Sequence, residues 1–210
     1  FLKGENKKME QTRLQKQMDF IVEMDKTKQI FRQTFLADGS RKENDAEHAW
    51  HLVLMAYLLR EYAEQEVDIT KTMLMVLIHD LVEIDAGDTY AYDEKGNLDK
   101  REREEKAADR IFPILPTDQA EELRNLWEEF EANQTKEAKF AHTLDNLQPL
   151  LLNHASNGKS WREHQVTLDK VLERNQHTKE GSNVLWEYAK QCIEKNVEAG
   201  NIRLVNIPKE

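Results

Sequence analysis

The densest chemistry in the chain lies in ten residues, His79-Asp80-Leu81-Val82-Glu83-Ile84-Asp85-Ala86-Gly87-Asp88, which carry one imidazole and four carboxylates. They follow the apolar run from Met73 to Ile78, so the polar cluster stands at the end of a segment that should be buried. Charge in such a place is costly unless it is paired or binds a metal. A divalent cation needs three or four imidazole or carboxylate ligands converging from rigid elements. The candidates are His48, His79, Asp80 and Asp145. Neighbouring residues on a helix project about 100° apart, so His79 and Asp80 meet one ion only from either side of it, which leaves positions for water and substrate. Glu83, four residues after His79, sits one turn further on the same face, where a carboxylate suits acid/base work on an attacking water. Each residue taken singly also fits a plainer role: His79-Asp80 as a hydrogen-bonded core pair, His48 as a first-turn residue, Asp145 as the partner of a Lys or Arg.

The elements that must position these groups are helical. Gly and Pro are scarce, at seven and four, and no alternating strand pattern of useful length stands out. The fold class is therefore all-α. Residues 11–36 read as one long helix, with Leu14, Met18, Ile21, Met24, Ile30, Phe31 and Phe35 near three- and four-residue spacing, stopped by Asp38-Gly39. Asn44-Asp45-Ala46-Glu47 reads as a capping box opening a second helix to about residue 64, with His48 in its first turn. A third helix spans about 69–84, and residues 88–98 form a loop able to cover a site. Further helices are expected over about 99–112, 117–132 and 135–155, the last bent at Pro149, then a partly helical stretch over 160–174 and a final helix over 182–199. Trp127, Trp161 and Trp186 read as packing anchors, Trp50 as a pocket residue, and Lys159 to Arg162 as an interface or pocket edge.

Composition narrows the function classes. The 210 residues suit one domain over 1–210, with a core at about 15–155 and a C-terminal helical extension at about 156–210. Net charge is −10 with 33% charged residues, which gives no general electrostatic footprint for a nucleic acid polymer. The single cysteine, Cys192, excludes an intramolecular disulfide and points to a reducing, cytoplasmic setting. No apolar run reaches the roughly 18 residues of a membrane span, and no signal-peptide pattern precedes the first helix. The chain opens Phe1-Leu2-Lys3-Gly4 without an initiator methionine, which fits a start inside a longer chain.

Two longer motifs join these residues. Arg41-Lys42-Glu43-Asn44-Asp45-Ala46-Glu47-His48 has the form R-x-E-N-x-x-E-H, and residues 79–88 have the form HD-x-x-E-x-x-x-GD, with Leu144-Asp145 on a later helix. Over about residues 15–155 this pattern resembles the HD-domain superfamily of metal-dependent phosphohydrolases, and within it the bacterial 5′-deoxynucleotidase-like branch. The resemblance implies an HD-domain helical bundle with additional C-terminal helices. It implies one divalent metal ion, drawn from Mn, Co, Fe, Ni, Zn or Mg, on His48, His79, Asp80 and Asp145. It also implies Glu83 as the group that assists the attacking water, Asp88 followed by Thr89 at the substrate, and a homodimer. In that branch an Arg-Trp pair lies near the end of the first helix. Here the stretch reads Arg32-Gln33-Thr34-Phe35, so Arg41 and Arg32 are the candidates for holding phosphate. The expected function is hydrolysis of nucleoside (deoxy)5′-monophosphates. The alternatives are a nucleoside triphosphate hydrolase, a phosphodiesterase, or a helical protein with a structural metal.

Overall fold

The computed structural model describes residues 11–93 and 95–204; the opening Phe1-Leu2-Lys3-Gly4 lies outside them. Helix α1 (Arg13–Met24) begins at Thr12, whose side chain accepts from the Gln15 amide. It runs into a 3₁₀ turn at Asp25–Gln29 and then a hairpin, β1 (Phe31–Phe35) antiparallel to β2 (Lys42–Asn44). The single helix expected over 11–36 is thus corrected. Phe31 and Phe35 are four residues apart, which fits a helical face, but Phe31-Arg32-Gln33-Thr34-Phe35 is also rich in residues that favour a pleated surface. Gly39, at φ +69°, turns the hairpin rather than capping a helix, and Asp38 Oδ1 accepts from the Ser40 amide at 2.9 Å.

Helix α2 (Asp45–Leu59) follows β2 directly and ends in a 3₁₀ turn at Arg60–Tyr62. Helix α3 (Ile69–Ile78) stops just before His79, and a four-residue turn at 79–82 separates it from the short α4 (Glu83–Ala86). The continuous helix expected over 69–84 is therefore broken within the HD motif. His79 Nδ1 lies 2.9 Å from the Val76 carbonyl and so takes the acceptor that the Asp80 amide would use in a continued helix.

The remaining helices are α5 (Lys100–Ile111), α6 (Thr117–Ala132), α7 (Lys136–Ala155), α8 (Lys159–Glu163), α9 (Leu168–Asn175), α10 (Thr178–Gly181) and α11 (Asn183–Glu198). The chain is all-α apart from the small hairpin. Helix α7 is the axis of the fold. It packs against α2, α3, α6, α10 and α11, so apolar and polar positions are buried around its circumference. Leu52, Met75, Ile111, Phe112, Trp127, Phe140, Leu144 and Leu147 are the large side chains sealed at its sides. Pro149 sits inside α7, where it leaves the Asp145 carbonyl without its usual amide donor. One apolar cluster extends from Phe20 to Ile202, so the C-terminal helices share the core of the rest. Among the described residues no helix is long and apolar enough to cross a membrane.

Candidate metal centre

Three elements bring the predicted ligands together. The capping box fixes the start of α2: Asn44 Oδ1 accepts from the Glu47 amide at 3.0 Å, and Glu47 Oε2 accepts from the Asn44 amide at 3.2 Å. His48 then faces inward with no solvent exposure. The broken end of α3 aims His79 and Asp80 at the same point. Asp145 arrives from the middle of α7.

His48 Nε2 lies 3.1 Å from Asp145 Oδ1 and 3.8 Å from Asp80 Oδ2. His79 Nε2 lies 3.1 Å from Asp80 Oδ2 and 3.6 Å from Asp145 Oδ1. The far nitrogen of each ring is already engaged. His48 Nδ1 is 3.0 Å from Gln148 Oε1, and His79 Nδ1 is 2.9 Å from the Val76 carbonyl. Both acceptors require a proton on Nδ1, which leaves each Nε2 lone pair directed at the carboxylates. Gln148 is itself held, since its Nε2 donates to Glu43 Oε1 at 2.7 Å and faces His51 Nδ1 at 3.2 Å. His79 Nε2 makes no directed hydrogen bond although it is buried between two carboxylates. An Nε2 lone pair facing carboxylate oxygens at these distances is repelled unless a proton or a metal cation stands between them. The two imidazoles and two carboxylates fit a divalent ion such as Mn, Fe, Co, Ni or Zn; in the group His48, His79 and Asp145 the candidate ligand atoms lie within 4.8 Å of one another.

Charge in the metal-free centre follows from this packing. Burial pushes His48 down to about 4, so it is neutral. Burial opposes charge on His79 too, but Asp80 and Asp145 outweigh it and raise the imidazole to about 10. Burial also opposes ionisation of Asp145, and the adjoining imidazoles of His48 and His79, together with Arg174, more than offset it, holding Asp145 well below the usual range. Asp80 is lowered in the same way, by His79 and Arg32 against burial.

A second acidic group adjoins the first. Asp45, Asp80 and Glu83 each place an oxygen within 4.8 Å of the others. Glu83 is buried, its Oε2 has no hydrogen-bond partner, and burial together with Asp80 and Asp45 raises it well above an ordinary carboxylate. Burial and Asp80 likewise raise Asp45 to about 8. Arg32, pointing in from β1, binds Asp80 Oδ2 at 2.6 Å and approaches Asp45 Oδ1 at 3.5 Å. Burial opposes its charge, but Asp80, Glu83, Asp88 and Asp145 keep the guanidinium firmly protonated.

The two groups open onto one cavity. Asp80, Glu83, Asp88, Thr89 and Asp145 line it, as do the cations Arg32, Lys100 and Arg174. Among the expected catalytic, substrate and metal residues, Arg41 stands apart from both the ligand cluster and the cavity. Its guanidinium grips both oxygens of Glu47, at 2.5 and 2.9 Å, and it does not line the cavity. The structure does not bring Arg41, expected at the phosphate, to the cavity: it braces the capping box, while Arg32 reaches the carboxylates. Trp50 is 66% exposed and also stands outside the cavity, whereas Ser160 and Trp161 of the expected edge segment line it. Asp85, without a role from sequence, ties α4 to α5 through Arg110. Asp45, Gln148, Lys100 and Arg174 escaped the sequence reading. Gln148 had a signal, since three residues after Asp145 it shares that helical face. Arg174, whose Nη2 is 3.3 Å from Asp145 Oδ2, had none.

Known proteins resemble this arrangement. A crystal structure from Magnetospirillum magnetotacticum MS-1, described as a predicted metal-dependent phosphohydrolase, is 51% identical with a TM-score of 0.87, covering 90% of this chain and 95% of that one. A conserved hypothetical protein from Pyrococcus furiosus shares the fold at 23% identity and a TM-score of 0.59, covering 86% and 99%. The 5′-deoxynucleotidase HDDC2 of Homo sapiens is 32% identical over 111 residues, 53% of each chain. The 5′-deoxynucleotidase hdd1 of Schizosaccharomyces pombe is 25% identical over 122 residues, 56% of this chain and 60% of the relative. The match spans about half the length of these curated relatives. The HD domain family itself matches residues 24–186, well over half of the chain, and the chain belongs to that family.

Proposed function

We propose that this protein is a metal-dependent phosphohydrolase that removes phosphate from nucleoside 5′-monophosphates, deoxynucleotides included. The observation that carries this reading is the buried His48–His79–Asp80–Asp145 centre opening, beside Glu83 and Asp88, onto a cavity that also holds Arg32, Lys100 and Arg174. A divalent ion on the four ligands supplies Lewis-acid polarisation of the phosphate and acidifies a water. Arg32, Lys100 and Arg174 offset the negative charge of the phosphate. Glu83, buried beside Asp80 with its Oε2 unpartnered, takes the proton of the attacking water. Asp88 and Thr89, at the cavity wall, hold the sugar or the leaving oxygen.

The names of the relatives support a nucleotide substrate. A second copy of the chain is the proposed partner: Trp50, Leu54, Tyr57 and Leu58 form an exposed apolar stripe along α2, as an isologous dimer would cover. Sedimentation of the purified protein as a single dimeric species is the expected result, and a monomer removes this part of the reading. A cytoplasmic setting accords with the lone, buried Cys192.

The test is release of orthophosphate from a panel of ribo- and deoxynucleotides with Mn²⁺ or Co²⁺. Activity should vanish on chelation and return with metal. Glu83→Gln should lower kcat by about 10²–10⁴-fold without lowering bound metal. Pyrophosphate as the product, or turnover indifferent to chelation, overturns the proposal.

A further inference from the structure

Three buried carboxamides in the cavity have no part in the chemistry above. Asn146 and Asn153 come from α7, and Asn175 from the end of α9. They are 8, 5 and 3% exposed, and all three line the cavity. In each, the side-chain Oδ1 is sealed from solvent and has no hydrogen-bond partner. Such orphaned acceptors are rare in native proteins and call for an explanation.

For two of them the orientation is set by their own helix. Asn153 Nδ2 donates to the Pro149 carbonyl at 3.0 Å, and Asn175 Nδ2 donates to the Val171 carbonyl at 2.8 Å. Turning either amide over would set two oxygens against each other, so each Oδ1 is held as an acceptor. The three also follow the metal ligands in space. Asn146 is next to Asp145, and Asn153 stands two turns further along α7, about 10 Å by helical rise. Asn175 follows Arg174, whose guanidinium reaches Asp145 Oδ2 at 3.3 Å. A 5′-nucleotide with its phosphate at the ligand cluster extends its sugar and base over a span of this order, about 10 Å. Leu150 and Trp161 supply apolar surface along the same wall.

We propose that the fixed acceptors of Asn153 and Asn175, with Asn146 beside them, form a subsite for the hydrogen-bond donors of the nucleoside, namely the exocyclic amino group of the base or the sugar hydroxyls. The substrate choice of the enzyme is set there, jointly by α7 and the C-terminal extension. The subsite rests on the nucleotide reading of the cavity. A group built to accept a hydrogen bond discriminates strongly against an analogue that lacks the donor, because the acceptor is then left buried and unpaired.

The experiment is calorimetric binding of nucleosides to the Mn²⁺-loaded protein, with turnover of the matching 5′-monophosphates measured alongside. Adenosine against inosine and cytidine against uridine test the amino group. Adenosine against its 2′-deoxy and 3′-deoxy forms tests the hydroxyls. Loss of the donor that is read should weaken binding by about tenfold or more. Asn153→Leu should bring that ratio close to one, whereas a merely structural role would weaken all ligands alike. Asn175→Leu, on another helix, gives the same readout where the first variant does not fold. Equal binding of every pair, no nucleoside binding, or a ratio untouched in a folded variant overturns the subsite. Discrimination among nucleosides without phosphate release would leave the subsite and remove the monophosphatase reading. Phosphate release without discrimination would do the reverse.

Discussion

Gln148 decides which nitrogen of His48 meets the metal. It is fully buried, and its amide is pinned because Nε2 donates to Glu43 Oε1 at 2.7 Å. Oε1 can therefore only accept from His48 Nδ1, which leaves Nε2 as the ligand atom. Gln148→Leu keeps roughly the same volume and removes that lock, so the ring is free to carry its proton on either nitrogen. Metal affinity should fall about 10–100-fold, read by competition with a chromophoric chelator, while the helical circular dichroism persists. Unchanged affinity would show that ring orientation comes from packing alone. The residues that cluster here were legible in the sequence because HD-x-x-E is a local pattern. Its partners were not equally so. Asp45 reads as an ordinary first-turn acid, and only the hairpin and Arg32 reveal that it is buried beside Asp80.

At the level of elements, α2 depends on the hairpin that precedes it. Asn44 ends β2 and caps α2 at once, and Arg41 holds the Glu47 carboxylate that closes the box. Asn44→Ala should cost about 1 kcal/mol and lower the thermal midpoint by about 2–4 °C, measured by calorimetry. Because His48 is in the first turn of this helix, fraying should also weaken metal binding; a stability loss with metal affinity unchanged would separate cap from centre. The capping box was readable from Asn44 and Glu47, whose offset encodes their contact. The hairpin was not, because Ile30, Phe31 and Phe35 satisfy a helical spacing and a strand composition together, and strand pairing is decided by partners further along the chain, Asn44 for Phe31 and Lys42 for Phe35. The placement of Arg32 was lost with it. The end of α3 escaped for a different reason: the imidazole whose Nε2 is the proposed ligand atom also interrupts the helix through its Nδ1.

For the molecule as a whole, the acidic centre is built at the expense of metal-free stability, and the pH dependence has a definite sign. Burial raises Glu43 to about 7 and Asp45 to about 8, and the neighbouring carboxylates raise His79 to about 10 against its burial. All three bind protons more tightly folded than unfolded, so their stabilisation is complete below the unfolded values and is lost as pH climbs through the folded ones. His48, lowered to about 4, acts in the opposite sense, but only between about 4 and 6.5. Asp80 and Asp145 are ionised in both states above that range and add no slope. Above pH 6.5 the metal-free protein should therefore lose stability steadily, through Glu43 to about pH 7, through Asp45 to about pH 8 and through His79 over the whole interval to about pH 10. A bound cation replaces the His79 proton and relieves the repulsion among the carboxylates, so the loaded protein should hold its midpoint better. Thermal melts of chelated and Mn²⁺-loaded protein between pH 6.5 and 9 are the measurement. The gap between the two curves should widen as pH rises. A gap that is constant or narrows over that interval would mean that the proton and the cation do not compete for His79, and the centre would then have to lie elsewhere in the cavity.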